Sequence, residues 1–297
     1  MFWPYRYRSE RSERSEARKW EARYLKGAAK VIVVTDAVKK LLSEKYGPGV
    51  EAKTTVVRHG YARTTKKRGQ EPLFRIVYTG QLRGIYIASK TFLNKALRAL
   101  WKTFLRGLLG ARFCERLRLD WMSPHRLLEA VGRISKSNRE FAEKFRLVFA
   151  GQTFDQVDRW ARRWGLEGNV EQLGPVPAES AEQLSADVDL LALSLYGIKG
   201  CAYHWCVPSK VYSYLGSGNA ILGLLPPGEA ANLITRAGTG IVAAPDDVTA
   251  IAGKVEQFFS KWQKGESLSQ PDWEYIQQFE LERQQRLFVE AIVSTLI

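Results

Sequence analysis

Cysteine, histidine and long apolar runs are all scarce in this chain, and each scarcity excludes something. Three cysteines in 297 residues are an odd count, which does not suit a disulfide framework and fits a reducing cytoplasm. Cys201, His204 and Cys206 crowd into six residues. Three candidate ligands fall short of the four that a structural zinc needs, and their spacing matches no standard pair, so no metal or other cofactor is expected. The three histidines, His59, His125 and His204, stand in no nucleophile-elbow motif, which leaves Ser-His-Asp chemistry without support. No run of 18 apolar residues exists, so a spanning helix is not expected. Residues 1–30 are rich in Arg and Glu without an apolar stretch, unlike a secretory signal.

Positive charge, by contrast, is abundant and unevenly placed. The net charge is +14. Between Arg83 and Met122 stand nine Lys/Arg against two acids, an excess of seven, half of the total within 40 residues. So local a basic segment points to an anionic surface: membrane, nucleic acid or a phosphate-bearing ligand. No recognised nucleic-acid motif accompanies it, and nucleic acid is not expected as a partner.

Length alone suggests about two domains. Residues 9–26 alternate in charge and read as a solvated helix. "KVIVVTD" reads as a buried strand, with Thr35 or Asp36 capping the helix "AVKKLLSEKYG", which stops at Gly47 before Pro48. "KTTVVRHG" is a further strand. Residues 62–72 are polar, basic and poor in apolar side chains, as a linker is. Beyond them, short apolar strands ("FRIVYTG", "FRLVFAG", "NVEQLG", "VDLLALSL", "AILGLL", "GIVAA") alternate with helical patterns. Such alternation predicts an α/β fold with a doubly wound parallel sheet buried on both faces. Ligands of such sheets bind where strand ends turn into helix N-termini. Gly80, Gly151 and Gly174 close three of these strands, where a glycine lets the backbone approach a ligand.

The motif order resembles family-4 (group 1) glycosyltransferases of the GT-B fold. "AAKVIVVTDAVKKLLSEKYG…VVRHGYA" is similar to the segment that closes their N-terminal, acceptor-side domain. "FRIVYTGQL", "FRLVFAG", "VEQLGPVPAESAEQLSADVDLLAL" and "VPSKVYSYLGSGNAILGLLPPGEAANLI" resemble, in order, their Rossmann-like nucleotide-sugar domain. The resemblance covers about residues 20–80 and 123–260. It implies a remnant of the N-terminal domain over 1–61, the linker at 62–72, a nucleotide-sugar domain over 73–265 with an insertion at 85–122, and C-terminal helices over 266–297.

For function, the resemblance implies transfer of a sugar from a nucleotide-sugar donor to a cell-envelope or polysaccharide acceptor, with retention and no required metal. Lys210 and Arg83 would face the diphosphate, because an ammonium is a compact charge for phosphate oxygens. Gly80, Gly151, Gly174, Pro175, Val176, Ser209, Ser213, Gly228 and Glu229 would complete the donor site. The family usually carries glutamate where Ser213 stands and another acid at Trp205, Asn at His59, and Gly-x-Pro at Gly218-Asn219-Ala220. A second chain supplying the rest of the N-terminal domain is an implied partner. The competing reading is an inactive nucleotide-sugar-binding or partner-binding module at the membrane surface.

Within the insertion, Lys95, Arg98, Lys102 and Arg106 fall on one face of a helix. Leu93, Leu97, Leu100, Trp101, Phe104 and Leu108 fall on the other. Basic on one side and apolar on the other is the composition of a helix lying in a membrane interface, here peripheral on the inner face, with Trp101 and Phe104 buried in it. A helix packed on the body of the protein has the same pattern, and both readings stand.

Overall fold

The computed structural model describes residues 11–63, 73–80, 117–118, 123–152, 156–195, 197–198 and 204–296. Arg83, the stripe Lys95, Arg98, Trp101, Lys102, Phe104 and Arg106, and most of the basic insertion lie outside the described residues, as do residues 64–72 of the linker segment.

The first elements form a small unit. Helix α1 (Arg11–Gly27) precedes strand β1 (Val31–Val33), helix α2 (Asp36–Tyr46), the short helix α3 (Pro48–Ala52) and strand β2 (Thr54–Val56). Three β-branched residues in a row favour the β1 strand. Thr35 ends it and caps α2, its hydroxyl accepting from the Val38 N–H at 3.2 Å. Gly47 closes α2 at φ 85°, a conformation suited to glycine. Pro48 follows the stop, as the sequence suggested, and also opens α3, at a position where the missing N–H costs nothing. Strands β1 and β2 pair in parallel and make a sheet of two. Leu25, Val31, Val33, Leu42 and Val50 are its core.

The second unit holds a six-stranded parallel sheet, built from β3 (Phe74–Thr79), β5 (Phe145–Ala150), β6 (Val170–Gly174), β7 (Leu190–Ser194), β9 (Ala220–Leu224) and β10 (Gly240–Ala243). A two-residue antiparallel pair, β4 (Leu117–Arg118) with β8 (Gly197–Ile198), stands apart. The six run in the order β6-β5-β3-β7-β9-β10, which is the 3-2-1-4-5-6 arrangement of doubly wound nucleotide-binding sheets. Alternate residues of β3 serve opposite faces: Phe74, Ile76 and Tyr78 join one core, Val77 the other. Helices α4 (His125–Ser137), α5 (Arg139–Lys144), α6 (Gln156–Trp164) and α10 (Val248–Gln263) cover the first face; α8 (Ser209–Ser217) and α9 (Glu229–Arg236) cover the second. Helix α7 (Ala178–Ala186) precedes β7.

After α10 the chain returns through α11 (Trp273–Ile276), a 3-10 turn (Gln277–Phe279) and α12 (Leu281–Val293). This stretch ties the two units together. The Tyr61 N–H donates to the Phe279 carbonyl at 3.1 Å, and the Leu281 N–H to the Tyr61 carbonyl at 2.9 Å. A side chain on Gly60 would lie 2.5 Å from the Leu281 Cα. Among the described residues no helix is long and apolar enough to cross a membrane.

Candidate functional site

In this strand order the chain leaves β3 toward β5 and leaves β7 toward β9, so the carboxyl ends of β3 and β7 mark the switch point where a crevice opens. Three glycines lie along one side of it. The Gly80 N–H donates to the Ala150 carbonyl at 2.7 Å, and the Gly151 N–H to the Gly174 carbonyl at 2.7 Å. Their φ angles are 114°, 134° and 68° in chain order, all in the region L side chains avoid. A Cβ on Gly151 would sit 2.2 Å from the Gly80 carbonyl oxygen. The turns after β3, β5 and β6 are thus locked together at close backbone range.

Lys210 reaches the same point from the first turn of α8. Its Nζ donates to the Tyr78 hydroxyl at 3.0 Å and the Thr79 carbonyl at 3.1 Å, and lies 4.1 Å from the Tyr78 ring centroid. A Cβ on Gly80 would lie 3.4 Å from that Nζ. Burial pulls its pKa down, while Tyr78 and Tyr214 push it up and leave it above the ordinary lysine value. Among the described residues no carboxylate forms an ion pair with it. One turn on, the Tyr214 hydroxyl accepts from the Thr79 N–H at 3.1 Å and lies 2.8 Å from the Thr79 hydroxyl, which anchors α8 to the end of β3. Pro208 starts the helix with no side-chain cap; the Val211 N–H turns back to the Pro208 carbonyl at 3.0 Å, which leaves the Ser209 and Lys210 N–H groups for an anion. The Ser194 hydroxyl, at the end of β7, is buried without a partner among the described residues.

The structure therefore brings Gly80, Gly151, Gly174 and Lys210 together. Ser213 shares the face of α8 that carries Lys210, by its spacing of three, and is half-buried; Ser209 is exposed at the helix start. Pro175 and Val176 follow Gly174 on the outer side, exposed and half-buried in turn. Tyr78, Thr79, Tyr214 and Ser194 were not singled out from the sequence. For Tyr78, Thr79 and Ser194 only the length of the apolar runs that hold them pointed to strand ends; Tyr214 lies within helix α8.

Gly228 and Glu229 engage a different part of the molecule. The Glu229 carboxylate accepts from the Asp36 N–H at 3.1 Å and the Ala37 N–H at 2.9 Å, so an acid of the large unit caps helix α2 of the small one. Arg58 pairs with Asp36 and lies 3.9 Å from Glu229. Burial pushes the Glu229 pKa up, and the two N–H groups and Arg58 offset this only in part. Gly228 pairs with His204: the His204 N–H donates to the Pro227 carbonyl at 2.8 Å and the Glu229 N–H to the His204 carbonyl at 3.0 Å. Among the described residues no group of His, Cys, Asp and Glu is arranged to hold a metal.

No family model and no curated protein matches the chain. Solved structures do. The lipopolysaccharide outer core galactosyltransferase WaaB in its apo form superposes with a TM-score of 0.56 at 16% identity, over 90% of this chain and 62% of WaaB. Anabaena HepE in complex with UDP and glucose gives 0.62 at 15%, over 91% of this chain and 65% of HepE. A glycosyltransferase from Rickettsia africae gives 0.64 at 17%, over 98% and 68%. The chain thus spans less than two thirds of the length of the first two. At such identities the likeness is one of fold, and the fold is that of the GT-B glycosyltransferases, with the Rossmann-like α/β architecture that the motif order implied.

Proposed function

We propose that this chain carries the donor site of a GT-B glycosyltransferase of the family-4 type, which takes a sugar from a nucleotide diphosphate. The observation that carries this reading is the enclosed ammonium of Lys210, without a carboxylate partner among the described residues, at the switch point beside an uncapped helix N-terminus. A diphosphate supplies the missing negative charge. Lys210 and the first N–H groups of α8 would hold the charge that grows on the leaving diphosphate as the glycosidic bond breaks. Arg83, three residues beyond Gly80, would join from the following segment. The locked glycine turns admit the nucleotide backbone closely, with Gly174, Pro175 and Val176 toward the base. Ser213 would offer its hydroxyl to a ribose hydroxyl. HepE was solved with UDP, which makes a uridine nucleotide the first donor to try. Retention of anomeric configuration, a cell-envelope or polysaccharide acceptor, and a position on the inner membrane face through the basic stripe Lys95, Arg98, Lys102 and Arg106 complete the reading.

In this reading the two-stranded β1–β2 sheet would belong to the acceptor-side domain. A second reading, a binding module without turnover, is favoured by one observation: Ser213 and Trp205 stand where the family carries acids. Thermal melting tests the donor site. UDP at about 100 times its Kd stabilises the protein by about 2.7 kcal/mol, a rise of several degrees in Tm, and Lys210→Ala loses most of that rise. If UDP, GDP and ADP all leave Tm unchanged, the donor assignment fails. Ser213→Glu should tighten UDP binding; weaker binding means that Ser213 does not face the ribose.

A further inference from the structure

We propose that the outer surface of helices α4 and α6 docks on an anionic phospholipid bilayer. The two sides of the six-stranded sheet carry unlike charge. On the first side, α4, α5, α6 and α10 hold ten Lys/Arg against five acids. On the second, α8, α9 and α7, which joins that core through Leu184, hold two against three. The excess of the first side is gathered on α4 and α6, where six Lys/Arg face only Glu129 and Asp158. So uneven a distribution orients the molecule toward a negative surface.

Packing sets these charges in one surface. A Cβ on Gly132 of α4 would lie 2.6 Å from the Trp164 Cβ of α6, so the two helices meet at close range. Lys136 crosses the seam with its Nζ 4.8 Å from the Trp164 ring centroid, and the Arg163 guanidinium lies 5.0 Å over Trp160. Lys136, Arg159, Arg162 and Arg163 are all exposed, and among the described residues none of them forms an ion pair. Arg159 and Arg163 stand four apart, where like charges repel and cost helix stability; an anionic partner removes that cost. The spread of the cations selects the partner. They point outward along about 15 Å of α4 and from a second helix about 8–10 Å away, whereas a single phosphate needs donors that converge in a cleft. A leaflet of charged headgroups meets such a spread. The two tryptophans are half-buried beneath their cations, which leaves no open ring for a nucleobase to stack on and suits a membrane interface. Arg118 brings the basic stretch of the sequence to within seven residues of α4. This surface is separate from the stripe at Lys95 to Arg106, and it rests neither on that stripe nor on the donor reading.

The test is co-sedimentation of the full chain with vesicles of phosphatidylcholine alone and of phosphatidylcholine mixed with phosphatidylglycerol. Binding is expected to the anionic vesicles only, and it should weaken as salt is raised. A basic side chain near an anionic leaflet is worth a factor of about five in binding. Changing Arg159, Arg162 and Arg163 together to glutamine should therefore weaken vesicle binding by at least about tenfold, without lowering Tm. Glu179→Gln with Glu182→Gln, on the second side, should leave it unchanged. Equal binding to both kinds of vesicle overturns the proposal, and so does full binding by the triple variant. If reversing the charges of Lys95, Arg98, Lys102 and Arg106 removes binding while the triple variant keeps it, the stripe is the sole anchor and the proposal fails. Duplex DNA that binds more tightly than the vesicles, and loses that binding in the triple variant, would assign the surface to nucleic acid and overturn it too. Should the triple variant melt early, Arg162→Gln alone decides, with a loss of about fivefold expected. UDP binding is a separate readout: its absence would sink the donor reading and leave this surface standing.

Discussion

The six-stranded and the two-stranded sheets are built from the same βα units, yet they differ in how far each can hold itself together. Strands β3, β5, β7 and β9 each have a neighbour on both sides, and helices cover both faces of that sheet. In the small unit, among the described residues, both strands are edges, five residues form the buried core, and Val34 and Leu41 remain 41% and 40% exposed. A sheet of two strands is marginal in water without further packing. What the small unit lacks in its own core it draws from long-range ties: Glu229 to the start of α2, the Gln284 amide oxygen accepting from the Arg58 N–H at 2.8 Å, and the Tyr61–Leu281 bond. Stability in this molecule therefore has two sources, burial in the large unit and tethering in the small one.

The largest expected effect probes burial. Phe141 is fully buried, stacked on Phe145 at 4.5 Å and edge-on to Phe259 at 5.0 Å. Phe141→Ala should cost about 3–5 kcal/mol of global stability in denaturant melts. Val33→Ala in the small core removes two carbons and should cost about 1–2 kcal/mol. That loss should show as faster amide exchange in β1 and β2, with the global midpoint nearly unmoved. A global loss of the full amount, about 1–2 kcal/mol, from Val33→Ala would mean that the units unfold as one and would break the comparison.

Next in size is Gly151→Ala. It places a methyl 2.2 Å from the Gly80 carbonyl oxygen at a backbone φ of 134°. A strained backbone costs about 1–3 kcal/mol, and the displaced Gly80 should take Lys210 with it. The variant should thus lose UDP stabilisation by more than its own instability accounts for. A folded Gly151→Ala protein with full UDP binding would mean that the glycine turns do not shape the donor site.

The strands of the large unit were legible in the sequence for a simple reason. Its strands are unbroken apolar runs such as "FRIVYT" and "LLALS", buried on both faces, and a local run suffices to read them. Gly80, Gly151 and Gly174 mark their ends, and the structure joins them. The strands and helices of the small unit were legible too, from Thr35 at the start of α2 to Gly47 at its end, but its ties to the large unit were not. The resemblance implied that Glu229 belongs to the donor site; in the structure its carboxylate reaches N–H groups 192 and 193 positions earlier in the chain. No local pattern encodes a pairing at that separation. Tyr78 and Tyr214 were missed for a related reason: each sits in an apolar run where an aromatic residue is ordinary, and only the strand order shows that their hydroxyls meet Lys210 and Thr79.

A smaller effect tests tethering directly. Glu229→Ala leaves the first N–H groups of α2 without their acceptor, at a cost of about 1–2 kcal/mol. Hydrogen exchange should quicken across α2 and β1 while β3 and β7 keep their protection. Uniform quickening in both units would mean that Glu229 supports the whole fold rather than one junction.

The smallest effect concerns pH and the same carboxylate. Burial holds the Glu229 pKa above its ordinary value of 4.5, despite the Ala37 and Asp36 N–H groups and the nearby Arg58. Just above that value the unfolded chain has released the proton while the folded chain still keeps part of it. The folded state then binds more protons, so stability falls as pH rises from about 4.5 through the raised pKa and levels off beyond it. One whole proton would give a slope of about 1.4 kcal/mol per pH unit, which is a ceiling here. In amide exchange the fall should appear at α2 and β1, the elements Glu229 tethers, and not at β3 or β7. Glu229→Gln, which has no proton to release, should flatten it. A slope that persists in Glu229→Gln would assign the pH dependence to other carboxylates, and the junction would then hold by geometry alone, indifferent to charge.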